Sequence, residues 1–264
     1  MSRIDRTFKI LKNRRQVALI PFIVAGDPDL ETTEALVLKM AESGTDIIEL
    51  GVPFSDPLAD GPIIQAASQR ALQNGVNLRD IFRLTERLKG IDFPLVLMTY
   101  FNPVFCFGLK DFAEGCQKSG VDGVIIPDLP PEEAGLWISE ARRMNLDTIF
   151  LVAPTSPPER IRLVSRCSRG FIYYVSVTGV TGTRENLPEE VGLAVKRIKE
   201  ISQKPVAVGF GISSPEQAKR VSRFADGVII GSAIVKIIGE NLKSPDMIDR
   251  VGDFVSSLTK ALKS

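Results

Sequence analysis

Gly120-Val-Asp-Gly-Val-Ile-Ile-Pro-Asp128 returns later in the chain as Phe224-Ala-Asp-Gly-Val-Ile-Ile-Gly-Ser232, and Gly44-Thr-Asp-Ile-Ile-Glu49 echoes both more weakly. The shared Asp-Gly-Val-Ile-Ile reads as one helix-to-strand junction used more than once. A polar turn leads into a short β-branched run that does not alternate with polar residues. Such runs are buried on both faces, as in a parallel sheet covered by helices.

Working outward, eight apolar runs of this kind recur: Val17–Val24, Asp46–Leu50, Leu95–Thr99, Gly123–Ile126, Thr148–Val152, Phe171–Val175, Val206–Gly209 and Gly227–Ile230. Helical patterns lie between them at Leu30–Ala41, Ile63–Gln73, Leu78–Leu88, Leu109–Lys118, Glu132–Met144, Pro158–Cys167, Pro188–Ile201, Pro215–Arg223 and Ser232–Ile238. Asp29 and Ser214 stand as N-caps before two of these helices. Strand–helix alternation with no Pro/Ser-rich linker predicts an α/β fold, a single (β/α)8 TIM barrel over residues 1–264. An extra N-terminal helix (Ile4–Leu11) and a C-terminal helix (Met247–Leu262) flank it.

The 264 residues contain no histidine. That removes a Ser-His-Asp triad, a Cys-His pair, His-ligated zinc and any imidazole base, so acid–base work falls to carboxylates, Lys, Tyr or Cys. Lys+Arg 33 against Asp+Glu 32 leaves no electrostatic footprint for nucleic acid or a membrane surface. Cys106, Cys116 and Cys167 are widely spaced and odd in number, which predicts reduced thiols in a cytoplasmic protein. With 44% hydrophobic and 25% charged residues the composition is that of a soluble globular chain, and no apolar run approaches a membrane span.

In a barrel the chemistry belongs to the loops after the strands. Glu49 ends the second run, where burial favours a neutral, proton-donating carboxyl. A structural Glu bonded inside the barrel is the competing reading. Asp60 closes the Pro-rich loop 51–60 before Gly61-Pro62, either as an N-cap or as an ionised partner to Glu49. Val177-Thr-Gly-Val-Thr-Gly-Thr-Arg184, Gly209-Phe-Gly211 and Gly231-Ser232 offer bare backbone N–H groups for a phosphate, or simply turns. Phe22, Tyr173 and Phe210 are either core or a wall for a flat apolar substrate. Asp27, Asp56 and Asp128 leave a magnesium site open as an alternative.

The phrase Glu-Leu-Gly-Val-Pro-Phe-Ser-Asp-Pro-Leu-Ala-Asp-Gly-Pro (49–62), with Pro127-Asp-Leu-Pro130, Gly179-Val-Thr-Gly182, Gly209-Phe-Gly-Ile-Ser213 and Gly231-Ser-Ala-Ile-Val-Lys236, resembles the tryptophan synthase alpha chain family over essentially the whole length. The resemblance implies a lyase that cleaves indole-3-glycerol phosphate to indole and glyceraldehyde 3-phosphate in tryptophan biosynthesis. It implies Glu49 and Asp60 as the catalytic pair, a phosphate site at Gly182, Gly211, Gly231 and Ser232, and a substrate wall of Phe22, Tyr173, Thr181, Phe210 and Ile229. Phe171 stands where some members carry a tyrosine. The resemblance further implies a beta-chain partner in an alpha2-beta2 heterotetramer, with pyridoxal phosphate in that partner and no cofactor in this chain. It puts docking around loop 51–60, Asn102, Phe105 and Pro130, with Phe105 and Phe107 as an apolar patch or as residues buried beneath a loop. Loops 51–60 and 178–192 are expected to close over the substrate, with Thr181 bonding Asp60. Two other classes stay open: a free-standing phosphosugar enzyme, for which no strand lysine is present, and a binding module whose catalysis has lapsed.

Overall fold

The β-rich runs become strands because helices cover their outer face while side chains fill the inside; all seven residues of β1 (Ala18–Val24) are buried. The computed structural model describes residues 1–175, 187–209 and 211–263. Within them β1 is followed by β2 (Ile48–Gly51), β3 (Leu95–Met98), β4 (Gly123–Ile125), β5 (Asp147–Ile149), β6 (Leu151–Val152), β7 (Ile172–Val175), β8 (Val206–Gly209) and β9 (Gly227–Ile230). The helices are α1 (Arg3–Asn13), α2 (Leu30–Glu42), α3 (Pro62–Gln73), α4 (Leu78–Arg87), α5 (Phe101–Phe107), α6 (Leu109–Ser119), α7 (Gly135–Arg143), α8 (Pro158–Cys167), α9 (Leu187–Ile201), α10 (Pro215–Val221), α11 (Ser232–Glu240) and α12 (Met247–Lys263).

All strand pairs are parallel, in the order β5-β4-β3-β2-β1-β9-β8-β7-β6. The two ends of that order, β5 and β6, are successive parts of the one run predicted at 148–152, parted at Phe150. One tilted strand thus pairs with β4 through its first half and with β7 through its second, and the barrel nearly closes. The expected eight strands are observed as nine segments for this reason.

Register assigns the interior. Ala18 pairs with Gly227, Gly227 with Ala207, and Ala207 with Tyr173, so all four share a face. Ile20 and Phe22 follow Ala18 at the strand period of two; Ile20 pairs with Ile229 and Phe22 with Glu49. Phe22, Glu49, Tyr173 and Ile229 therefore project together into the barrel. The opposite mouth is stopped by α1. Its Ile4 is fully buried, 3.0 Å from where a Cβ on Gly123 would stand, and the Ser2 hydroxyl bonds Asp147. Phe171 packs on Phe8 of α1 at 5.7 Å between ring centroids, so the departure from the family pattern lies against that plug.

The sequence repeat has a structural cause. Asp46, before β2, accepts the Leu19 N–H of β1 at 2.9 Å and pairs with Lys263. Asp122, before β4, accepts the Leu95 N–H of β3 at 2.9 Å and pairs with Arg3. Asp226, before β9, accepts the Val206 N–H of β8 at 2.8 Å and pairs with Lys199. Between them Ser168 accepts the Phe150 N–H at 3.3 Å in the same sense. Each unit stitches two strands at their N-terminal ends and fixes their register, and the attached cation keeps the half-buried carboxylate compensated.

Asp29 and Ser214 cap as expected, accepting the N–H of Thr32 and of Gln217. Two helical expectations needed correction. Tyr100-Phe-Asn-Pro103 is not a plain loop, because Phe101 starts α5 and Pro103 sits in its first turn, where a missing N–H costs nothing. The helix expected from Glu132 begins at Gly135, after a turn. Phe107 is likewise not exposed with Phe105; it lies edge-on to Phe82 at 5.6 Å, while Phe105 is 65% exposed.

Replacing Asp122 by Ala removes a charged acceptor and leaves the Leu95 N–H unmatched, a loss of about 2 kcal/mol in urea denaturation. The same change at Asp226, whose side chain is 38% exposed against 11% for Asp122, costs less. Equal losses at the two positions contradict the burial argument.

Candidate active site

Glu49 is in β2, in register with Phe22 on one side and Val96 on the other, and on the same inward face as Phe22. It is 1% exposed, and neither carboxyl oxygen has a hydrogen-bond partner among the described residues. An ionised carboxylate so placed is far costlier than a neutral one. Burial first, and the nearby Asp60 charge second, push the Glu49 carboxyl up to about 8.

Asp60 does not cap α3. The cap position is Gly61, with Pro62 at the first helical position and no side-chain cap bond. The Asp60 carboxyl instead lies beside the Tyr100 phenol, the two lining one small hollow with Phe22 and Met98. Burial raises Asp60 to about 6, against the opposing effect of that phenol, so it is ionised at neutral pH while Glu49 is not. Two carboxyl groups over one cavity thus carry different protons, the condition for dividing acid and anion roles between them.

The cavity is about 380 Å³. Its lining combines the apolar Phe22, Tyr173, Ile229, Met98, Ile64 and Ile212 with the small residues Gly211, Ser213, Gly231, Ser232 and Ala233. Glycines make room for the rings. A Cβ on Gly51 would stand 2.6 Å from Phe22 Cζ, and one on Gly209 would stand 2.6 Å from Tyr173 Cε1. Gly211 turns with φ +80°. Ser232 opens α11, whose N-cap Gly231 contributes no side-chain bond, so the backbone N–H groups of the first turn are available to an anion. None of the described residues lining this cavity is a Lys or Arg, so the backbone is the donor they offer. A roomier but shallow depression of about 770 Å³ lies on the outer face of α9, lined by Leu193, Lys196 and Phe224 among others. It has no strand ends, and the chemistry is not there.

Glu49, Asp60, Phe22, Tyr173, Gly211, Ile229, Gly231 and Ser232 are therefore brought to one cavity. Thr181, Gly182 and Phe210, and with them the Thr181–Asp60 bond and most of loop 178–192, lie outside the described residues. Sequence reasoning passed over Met98, Ile64, Ile212, Ser213 and Tyr100. Ser213 was within the quoted Gly-Phe-Gly-Ile-Ser phrase and Tyr100 directly follows a strand end, so both carried a positional signal. The magnesium alternative disperses. Asp27 is held by Arg70 through two bonds of 2.7 and 2.8 Å, Asp56 by Ser55, and Asp128 accepts the Phe101 N–H at 2.8 Å. Among the described residues no three His, Cys, Asp or Glu side chains gather as a metal-binding group.

Residues 8–263 match the family described as tryptophan synthase alpha chain. The chain is 51% identical to the tryptophan synthase alpha chain of Geotalea uraniireducens, over 100% of this chain and 99% of that one. It is 52% identical to that of Geobacter sulfurreducens, over 99% of each. Among solved structures, tryptophan synthase subunit alpha from Legionella pneumophila str. Paris superposes with a TM-score of 0.92 at 38% identity, covering 99% of this chain and 98% of that one. Tryptophan synthase from M. tuberculosis in an open form gives 0.89 at 38% identity, covering 100% and 99%.

The unfolded chain releases the Glu49 proton near 4.5 and the folded chain near 8. Between those values the folded state binds more protons, so this group's contribution makes stability fall as pH rises through the window and level off above it. Glu49→Gln removes that contribution. Its stability relative to wild type should climb across the window by on the order of 5 kcal/mol, measured by urea denaturation at successive pH values. A constant difference contradicts the raised carboxyl.

Proposed function

The chain belongs to the tryptophan synthase alpha chain family, whose lyase reaction cleaves indole-3-glycerol phosphate in tryptophan biosynthesis, and from that premise we propose that Glu49 and Asp60 perform the cleavage as proton carrier and anion. The observation that carries this reading is the buried Glu49 carboxyl without a hydrogen-bond partner among the described residues, facing the same aromatic-walled cavity as Asp60.

The reaction balances on these two groups. Glu49, neutral at rest, gives its proton to indole C3, and the ring becomes an indoleninium with positive charge at the ring nitrogen. Asp60 accepts a hydrogen bond from that N–H and stabilises the charge. Glu49, now a carboxylate, takes the proton of the glycerol hydroxyl on the carbon attached to C3. The C3–carbon bond breaks, its electron pair restores the indole, and the hydroxyl-bearing carbon becomes the aldehyde of glyceraldehyde 3-phosphate. Glu49 ends protonated, as it began. The two carboxylates are never ionised together without the ring cation in the same cavity, which makes the sequence feasible in a dry site.

Phe22, Tyr173 and Ile229 form the indole wall, with Thr181 and Phe210 expected to complete it. The phosphate rests on the backbone of Gly211, Gly231 and Ser232 at the start of α11, with Gly182 expected to join them. This chemistry calls on no metal or organic cofactor from this chain; pyridoxal phosphate belongs to the beta chain. The family implies that partner, and an alpha2-beta2 heterotetramer in the cytoplasm is the assembly proposed. Loop 51–60, Asn102, Phe105 and Pro130 make the docking face, a reading supported by Phe105 and by Leu58 at 89% exposure.

Glu49→Gln should lower indole release from indole-3-glycerol phosphate by about 10³-fold or more with the circular dichroism spectrum unchanged. Asp60→Asn should lower it by about 10²-fold or more. Near-normal turnover in either variant overturns the assignment of that residue. Phe105→Asp should weaken the complex with the beta chain about tenfold or more in a binding titration; unaltered affinity removes Phe105 from the docking face.

A further inference from the structure

Tyr100 follows β3 and is 3% exposed, yet no step of the reaction above uses it. Its ring lies against Phe54 with centroids 5.3 Å apart and planes at 29°. Its hydroxyl oxygen accepts the Ala59 N–H at 3.0 Å, and Asp60 lines the same small hollow. One side chain thus grips the segment 54–60 near both ends, by stacking at its start and by a hydrogen bond near its close. A phenol has one proton to give. With the Ala59 N–H already occupying the oxygen, that proton is left for a neighbouring acceptor, and Asp60 is the carboxyl beside it.

We propose that Tyr100 is a positioning residue for Asp60: it donates its phenolic proton to the Asp60 carboxylate while accepting the Ala59 N–H, and so aims that carboxylate into the cavity. The inference rests on the reading of Asp60 as the anion facing the indole nitrogen. Donation to a carboxylate favours its ionised form. The phenol stays protonated over the working range, since burial, and then the charges of Asp60 and Asp128, push it up. The groups that face this pair are Glu49 from β2, Tyr173 from β7 and Asp128 from the loop after β4. None of these described neighbours carries a positive charge.

The test is the pH profile of kcat/KM for indole release by the full chain on indole-3-glycerol phosphate. Without the donor, Asp60 holds its proton to higher pH. Tyr100→Phe should therefore move the acidic limb upward by about half a pH unit or more, making the loss about twofold greater or more at pH 6 than at pH 8. Replacing Tyr100 with 3-fluorotyrosine, a stronger donor of nearly the same shape, should move the limb downward and serves if the Phe variant is unstable. A fall in activity equal at every pH in the Phe variant, or an unmoved limb with fluorotyrosine, overturns the proposal. Asp60→Asn separates the two ideas. An inactive Asp60→Asn beside an unmoved limb at position 100 rejects Tyr100 alone, whereas normal activity in Asp60→Asn rejects the reading of Asp60 and the inference with it.

Discussion

A carboxyl group kept dry and unpaired is the constraint around which this molecule is organised. Glu49 sits in register with the inward-facing Phe22, so its side chain enters the barrel among Phe22, Tyr173 and Ile229. No partner among the described residues satisfies it, and its charged form is disfavoured. The same apolar walls that raise its proton affinity form the flat surface on which an indole would rest. Burial, acidity and substrate shape are one property of this cavity.

The two ends of the barrel treat carboxylates in opposite ways. At the N-terminal end, Asp46, Asp122 and Asp226 each accept a strand N–H and each pair with Lys or Arg, so each charge is compensated where it sits. At the C-terminal end, Glu49 has no cation among the described residues, and Asp60 has a phenol beside it. A cation beside Glu49 would hold it ionised and remove its ability to donate. The division between a stabilising face and a reactive face follows from where the compensating charges are placed.

Much of this was legible in the sequence, for physical reasons that differ by residue. Val206–Gly209 and Gly227–Ile230 coincide with the predicted runs, since a strand buried on both faces leaves an uninterrupted apolar signature. Glu49 announced itself as the one charge at the end of such a run. The division of the fifth strand at Phe150 was not readable, because it reflects which neighbours a tilted strand meets and not any local preference. The start of α5 was hidden by Asn102-Pro103, which reads as a turn unless the chain before it is already anchored by the Asp128 bond to the Phe101 N–H. Asp60 was ambiguous for a similar reason. An Asp before Gly-Pro looks like a cap locally, and a residue forty positions away, Tyr100, decides that it is not.

The repeated Asp-Gly-Val-Ile-Ile phrase shows the same limit from the other side: it was visible as a repeat, while its purpose, stitching paired strands, required the pairing itself. The account as a whole turns on the proton of Glu49. Infrared difference spectroscopy of the resting protein against its Glu49→Gln variant, titrated from acid to alkaline pH, reads that proton at the carboxyl C=O stretch. A neutral Glu49 shows a protonated carboxyl band at pH 7 that disappears with a midpoint near 8. A difference spectrum with only carboxylate bands at pH 7, and a midpoint in the ordinary range for an exposed Glu, would contradict it.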